Sequence, residues 1–106
     1  MTSDAGSAAP QHAPIPLRLR DFEGRTGSPF RIAFQGESQD LILMAARELP
    51  GSPRAEGGFR LEFRGPLEPR LPQAIYAFEI DGVAHEIFIV PIGFAIDGLL
   101  YEAVFF

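Results

Sequence analysis

The run Tyr76-Ala77-Phe78-Glu79-Ile80-Asp81-Gly82-Val83-Ala84-His85-Glu86-Ile87-Phe88-Ile89-Val90 constrains the fold more than any other part of the chain. Asp81-Gly82 sits between two stretches of alternating apolar residues. Asp-Gly tolerates positive φ at both central positions of a type I′ turn, whose twist matches that of two antiparallel strands. Counting outwards, Ile80 faces Val83, Phe78 faces His85 and Tyr76 faces Ile87. One face of the ribbon is then Tyr76, Phe78, Ile80, Val83, His85 and Ile87. The other is Ile75, Ala77, Glu79, Ala84, Glu86 and Phe88. The second half of the chain reads as antiparallel β.

The remaining segments follow the same grammar. Phe30, Ile32 and Phe34 alternate between two turn clusters, Gly24 to Pro29 and Gln35 to Ser38. Asp40 to Leu49 is ambiguous. Its Leu, Met, Ala, Arg and Glu favour a helix that Ser38 would cap, yet Leu41, Leu43 and Ala45 also line one strand face. A strand is expected, because its neighbours are strands that need pairing. Pro50 to Gly58 reads as a polar loop. Phe59 to Arg64 is a half-buried strand whose Arg60, Glu62 and Arg64 form a solvated, mutually paired face. Gly65-Pro66 stops it, and Leu67 to Pro72 is an irregular connection. Pro91-Ile92-Gly93 is expected to break the strand after Val90, and Asp97-Gly98 to turn the chain into a last strand, Leu99 to Phe106. Leu17 and Leu19, alternating with Arg18 and Arg20, suit a short edge strand or an extended arm. Residues 1–16, rich in Ala, Ser, Pro and Gly, read as a disordered tail before a single β domain, 17–106. Six or seven short strands with turns between them predict an all-β fold, a small antiparallel barrel or sandwich.

Composition removes several chemistries. The 106 residues contain no Cys, which excludes disulfides, thiolate nucleophiles and cysteine-ligated metal centres. All nine basic residues are Arg, so a Schiff-base or P-loop lysine is absent too. A net charge of −5 with scattered arginines argues against nucleic acid as a partner. No run approaches the ~20 apolar residues of a membrane-spanning helix. No positively charged segment precedes an apolar one near residue 1, so a cytoplasmic location is expected, although export without a signal would leave the same pattern.

Few residues remain for catalysis. His85 lacks a second His or Cys to complete a metal site and reads as a core-facing side chain beside Phe78. Glu79 and Glu86 are diagonal neighbours about 7–8 Å apart. A carboxylate pair at that spacing suits glycoside hydrolysis, or is simply the wet side of a ribbon. Asp81 and Asp97 are explained by their turns. Ser28, Ser38 and Ser52 lie in turn clusters, outside any Gly-x-Ser-x-Gly elbow. No catalytic residue, cofactor or metal is therefore expected. A second reading is a small-molecule or glycan binder using Tyr76, Tyr101, Arg54 and Arg70. The leading one rests on the last strand, apolar on both faces, together with Phe88 and Val90. It makes Phe88, Val90, Leu99, Tyr101 and Phe105 a candidate interaction surface for a protein partner or a homo-oligomer.

Phe63-Arg64-Gly65-Pro66, Leu71-Pro72-Gln73 with Tyr76, Phe88-Ile89-Val90-Pro91 and Tyr101-Glu102-Ala103-Val104-Phe105 together resemble a family of small uncharacterised bacterial all-β domains, over roughly Phe22 to Phe106. The resemblance implies a fold unit, a bacterial origin and a strand at Asp40 to Leu49, and it brings no catalytic residues. It also implies an accessory role, of the kind played by proteins encoded beside phage-tail-like components.

Overall fold

The computed structural model describes residues 16–106, and the tail expectation for residues 1–16 falls outside them except for Pro16. A single 3-10 turn, Leu19–Asp21, precedes six strands: β1 (Pro29–Phe34), β2 (Glu37–Leu49), β3 (Gly58–Gly65), β4 (Ala74–Ile80), β5 (Val83–Ala95) and β6 (Gly98–Phe105). All neighbours are antiparallel, and the sheet closes in the order β1-β2-β3-β6-β5-β4. After the β1-β2-β3 meander, β4 returns through residues 66–73 to lie beside β1, a Greek-key path. The fold is all-β and a barrel.

Two long strands build the corners. The first half of β2 pairs with β1, from Glu37–Phe34 to Ile42–Pro29. Its second half pairs with β3, from Ile42–Arg64 to Leu49–Gly58, with a register shift inside that ladder between Leu43 and Ala45. β5 does the same: Val83 to Ile89 pair with β4, and Val90 to Ala95 pair with β6, with a shift inside that second ladder between Pro91 and Gly93. Bulges bend a strand and let it pass from one sheet to another. The barrel thus consists of two walls. Wall one is β1, β4 and the first halves of β2 and β5. Wall two is β3, β6 and the second halves.

This corner corrects one expectation. Pro91 does not end the strand, because its missing N–H falls where the ladder is already interrupted by the bulge, which is where a sheet tolerates proline. A second correction concerns Leu17 to Phe22, which is not an edge strand. The Asp21 carboxylate accepts a hydrogen bond from the Arg18 N–H at 2.8 Å, and the Phe22 and Glu23 N–H groups both bond the Leu19 carbonyl. The tightened turn drives Phe22 fully inside. The barrel closes without this segment, β1 taking β2 on one side and β4 on the other. Asp40 to Leu49, by contrast, is strand throughout.

The alternation of each strand sends one set of side chains inwards. Phe22 contacts Phe30 and Phe59, with ring centroids 5.8 Å apart in both cases. Phe30 meets Phe63 edge-on at 5.9 Å, and Phe63 meets Phe78 at 5.1 Å. Phe30 and Phe78 belong to wall one, Phe59 and Phe63 to wall two, so this file of rings joins the walls. Such aromatic pairs each add about 0.5–1.5 kcal/mol beyond the area they bury. At one end Phe22 plugs the barrel. At the other Leu71 does, held by its N–H donating to the Tyr101 hydroxyl at 3.0 Å.

Candidate functional site

The two walls present different outer surfaces. On wall two, Arg60 donates through Nε to Glu102 and through Nη2 to Glu62 at 3.1 Å. Arg64 reaches Asp97 at 3.6 Å. The bond to Glu102, and then that to Glu62, pushes the Arg60 pKa above its ordinary value against the opposing effect of burial. These charges satisfy one another.

Wall one differs. Its β4–β5 ribbon has the register read from the sequence, with Ile80 facing Val83, Phe78 facing His85 and Tyr76 facing Ile87. Asp81 and Gly82 both have positive φ, 52° and 81°, as a type I′ turn requires. Arg25 ties down the tip, donating to Asp81 at 2.9 Å, and this bond holds the Asp81 carboxyl below its usual range. Inward residues Tyr76, Phe78, Ile80, Ile87 and Ile89 are buried. Outward, Ile75 and Phe88 stand directly opposite each other and are 61% and 49% exposed. Beside them lies a shallow trough lined by Ala33, Ala77 and Ala84, with Arg31, Ser38 and Glu79 at its margin. Arg31 faces Asp40 on one side and Glu79 on the other, and its Nε lies 3.7 Å from Asp40. Among the described residues, Glu79 and Glu86 have no ion-pair partner.

The sequence-predicted surface is split by this geometry. Phe88 is exposed on wall one, and Val90 is half-buried at the β5 corner. Leu99 and Tyr101 are not surface residues. Their register opposite Gly65 and Phe63 turns both into the barrel, where they are 3% and 0% exposed. Phe105 is half-buried and stacked on Phe59, with centroids 4.3 Å apart and planes at 10°. The Arg54 guanidinium lies over both rings at 5.6 and 5.7 Å.

The glycan reading loses its aromatic platforms by the same burial. The Tyr76 hydroxyl donates to the Pro72 carbonyl at 2.6 Å, and burial pushes its pKa up. Tyr101 is spent on Leu71. Arg54 donates to the Gly57 and Leu17 carbonyls, and Arg70 lies over Phe94. Glu79 and Glu86 share the outer face of the ribbon, as diagonal neighbours of an exposed surface rather than of a cleft. His85 is half-buried at the barrel end near Pro16, Leu17 and Asp21. No three His, Asp or Glu side chains converge among the described residues.

Sequence reasoning passed over Ile75, which shares the centre of the outer patch with Phe88. The signal was present: Tyr76, Phe78 and Ile80 fix the inward parity, so Ile75 had to point out. It also passed over Phe94 and Ile96, 68% and 104% exposed, whose placement depends on the bulge.

Residues 17–105 match the model of a family described as a domain of unknown function, DUF6916. No curated protein and no solved structure matches the chain. No helix among the described residues is long and apolar enough to cross a membrane.

Proposed function

The chain belongs to the DUF6916 family, and from that premise we propose that it is a non-enzymatic protein-interaction domain, packed into an assembly through the outer face of wall one. The observation that carries this reading is the exposed Ile75–Phe88 cross-strand pair. Two large apolar side chains directly opposite one another, next to a trough of alanines, form a contiguous patch rather than scattered surface residues. Burial of both tyrosines supports the same reading, since it removes the aromatic platforms that a glycan binder would use. The setting that the sequence resemblance implies is an accessory subunit of a bacterial assembly of the phage-tail-like kind.

The test combines light scattering with site-specific cross-linking in the producing cell. A photoreactive phenylalanine analogue at position 88 is expected to give one discrete adduct, and the same analogue at the exposed Arg47 of wall two none. A monomer at high concentration, with no adduct from position 88, would overturn the proposal.

A further inference from the structure

Resting on that interaction reading, we infer that the patch on wall one docks a basic amphipathic segment of another protein, one in which apolar side chains alternate with Lys or Arg. The patch supplies the apolar part of the recognition. Ile75 and Phe88 form a ridge, and Ala33, Ala77 and Ala84 floor a trough beside it, so a partner's apolar side chains meet small residues flanked by large ones.

The charge half selects the partner. The outer face of wall one carries Asp40, Glu79 and Glu86 against a single guanidinium, Arg31, which already leans on Asp40 at 3.7 Å. Glu79 and Glu86 are left without a counter-ion among the described residues, and they flank the alanines on the adjoining rows of the ribbon. A second copy of the chain would bring the same carboxylates against them in a two-fold contact, and the chain's net charge of −5 adds to that repulsion. Basic side chains on the partner would neutralise both acids at the rim while the apolar ones bury Phe88 and Ile75. The partner is placed on the face of the wall, because Ile75, Phe88, Glu79 and Glu86 all project from that face.

The probe is a synthetic ten-residue peptide of alternating Val and Lys, titrated into the whole chain and followed by amide chemical shifts. Peptides of alternating Val and Glu, and of Ser and Lys, serve as controls. Shifts confined to Ile75–Glu79, Ala84–Phe88 and Ala33, given by Val–Lys alone, are expected. The Glu79→Gln/Glu86→Gln double variant is expected to weaken binding about tenfold and remove most of its salt dependence. Phe88→Ser, at an exposed position, is expected to abolish binding while preserving the dispersion of the amide spectrum. Equal binding of Ser–Lys, or shifts spread over the Arg60 wall, would overturn the inference by showing charge attraction without a site. Concentration-dependent shifts at Phe88 without peptide binding would replace the basic partner with a second copy, and capture by phosphatidylcholine vesicles would replace it with a membrane. The first of these leaves the broader interaction reading standing, and a cross-linked adduct that survives the double Gln substitution does so too.

Discussion

The two walls of this barrel are made from the same residue types and differ in how they are joined. In wall two, β3 and β6 hold a continuous register from Phe59–Phe105 to Gly65–Leu99. In wall one, β1 and β4 share only Arg31–Glu79 and Ile32–Phe78. Beyond Ile32 that joint is continued by side chains, with the Phe34 and Tyr76 rings meeting edge-on at 6.1 Å. Wall two pairs Arg60 with Glu62 and Glu102 and Arg64 with Asp97, while wall one leaves Glu79 and Glu86 without a counter-ion among the described residues; both walls turn apolar side chains outward, Ile75 and Phe88 on wall one, Phe94 and Val104 on wall two. Wall two has a continuous central ladder, whereas wall one, with a central joint two pairs long, is also braced from behind by the aromatic file. A face held from behind is free to present to a partner residues that do nothing for the fold.

Cutting the aromatic file is expected to have the largest effect. Phe63 is fully buried and touches both Phe30 and Phe78 of the opposite wall. Phe63→Ala is expected to cost about 3–5 kcal/mol in urea unfolding. Phe88→Ala, on the outside of wall one, is expected to stay within about 1 kcal/mol of the parent. Equal losses for the two would mean that the walls are not coupled through the core. Next in size is Tyr101→Phe. It removes one oxygen and leaves the buried Leu71 N–H without its acceptor, an expected loss of about 1–3 kcal/mol. The loss should appear with no change in the aromatic core contacts seen by ring proton shifts.

The joints themselves can be compared by hydrogen exchange. Amides in the short β1–β4 ladder are expected to exchange at least about tenfold faster than those in the β3–β6 ladder, equivalent to about 1.4 kcal/mol less local opening energy. Uniform protection across both would show that the two-pair joint opens only with the whole barrel.

The same contrast explains what the sequence could disclose. Parity is a local property, so the Ile80–Val83 turn and the inward set Tyr76, Phe78 and Ile80 are readable from fifteen consecutive residues. Which neighbour covers a face is not local. Leu99 and Tyr101 look like surface in a strand apolar on both sides, and only pairing with Phe63 and Gly65 shows which side is the lumen. The corners were the least legible feature. Pro91 and Gly93 signal an interruption, but whether a strand stops or bends into a second sheet depends on whether β6 is there to receive it. Asp21 misled in a similar way, because its hydrogen bond to Arg18 turns an alternating Leu-Arg run into a 3-10 turn. Of the patch, Phe88 was visible and Ile75 was deducible. The trough was not, since Ala33 comes to it from another strand.

The smallest expected effect tests the tip of wall one, where the Arg25–Asp81 ion pair links the ribbon to the segment before β1. The Asp81 carboxyl is held below its ordinary pKa by the hydrogen bond from Arg25. A carboxyl whose folded pKa is depressed contributes stability that is complete above its unfolded value, about 3.9, and that is lost as pH falls through the lower folded value. Asn removes the charge and keeps the turn, because it tolerates the positive φ of 52° at this position and Asn-Gly is itself a type I′ sequence. Asp81→Asn is therefore expected to lower the melting temperature slightly at pH 7 and to leave it unchanged near pH 2. The gap between the two chains should close across the acid range below pH about 4. Since the pair is largely exposed, 0.5 M salt is expected to shrink the gap at pH 7 as well. A gap of constant size from pH 7 to pH 2 would assign the difference to the turn backbone, and the ribbon would then be held only by its partner strands and the core behind it.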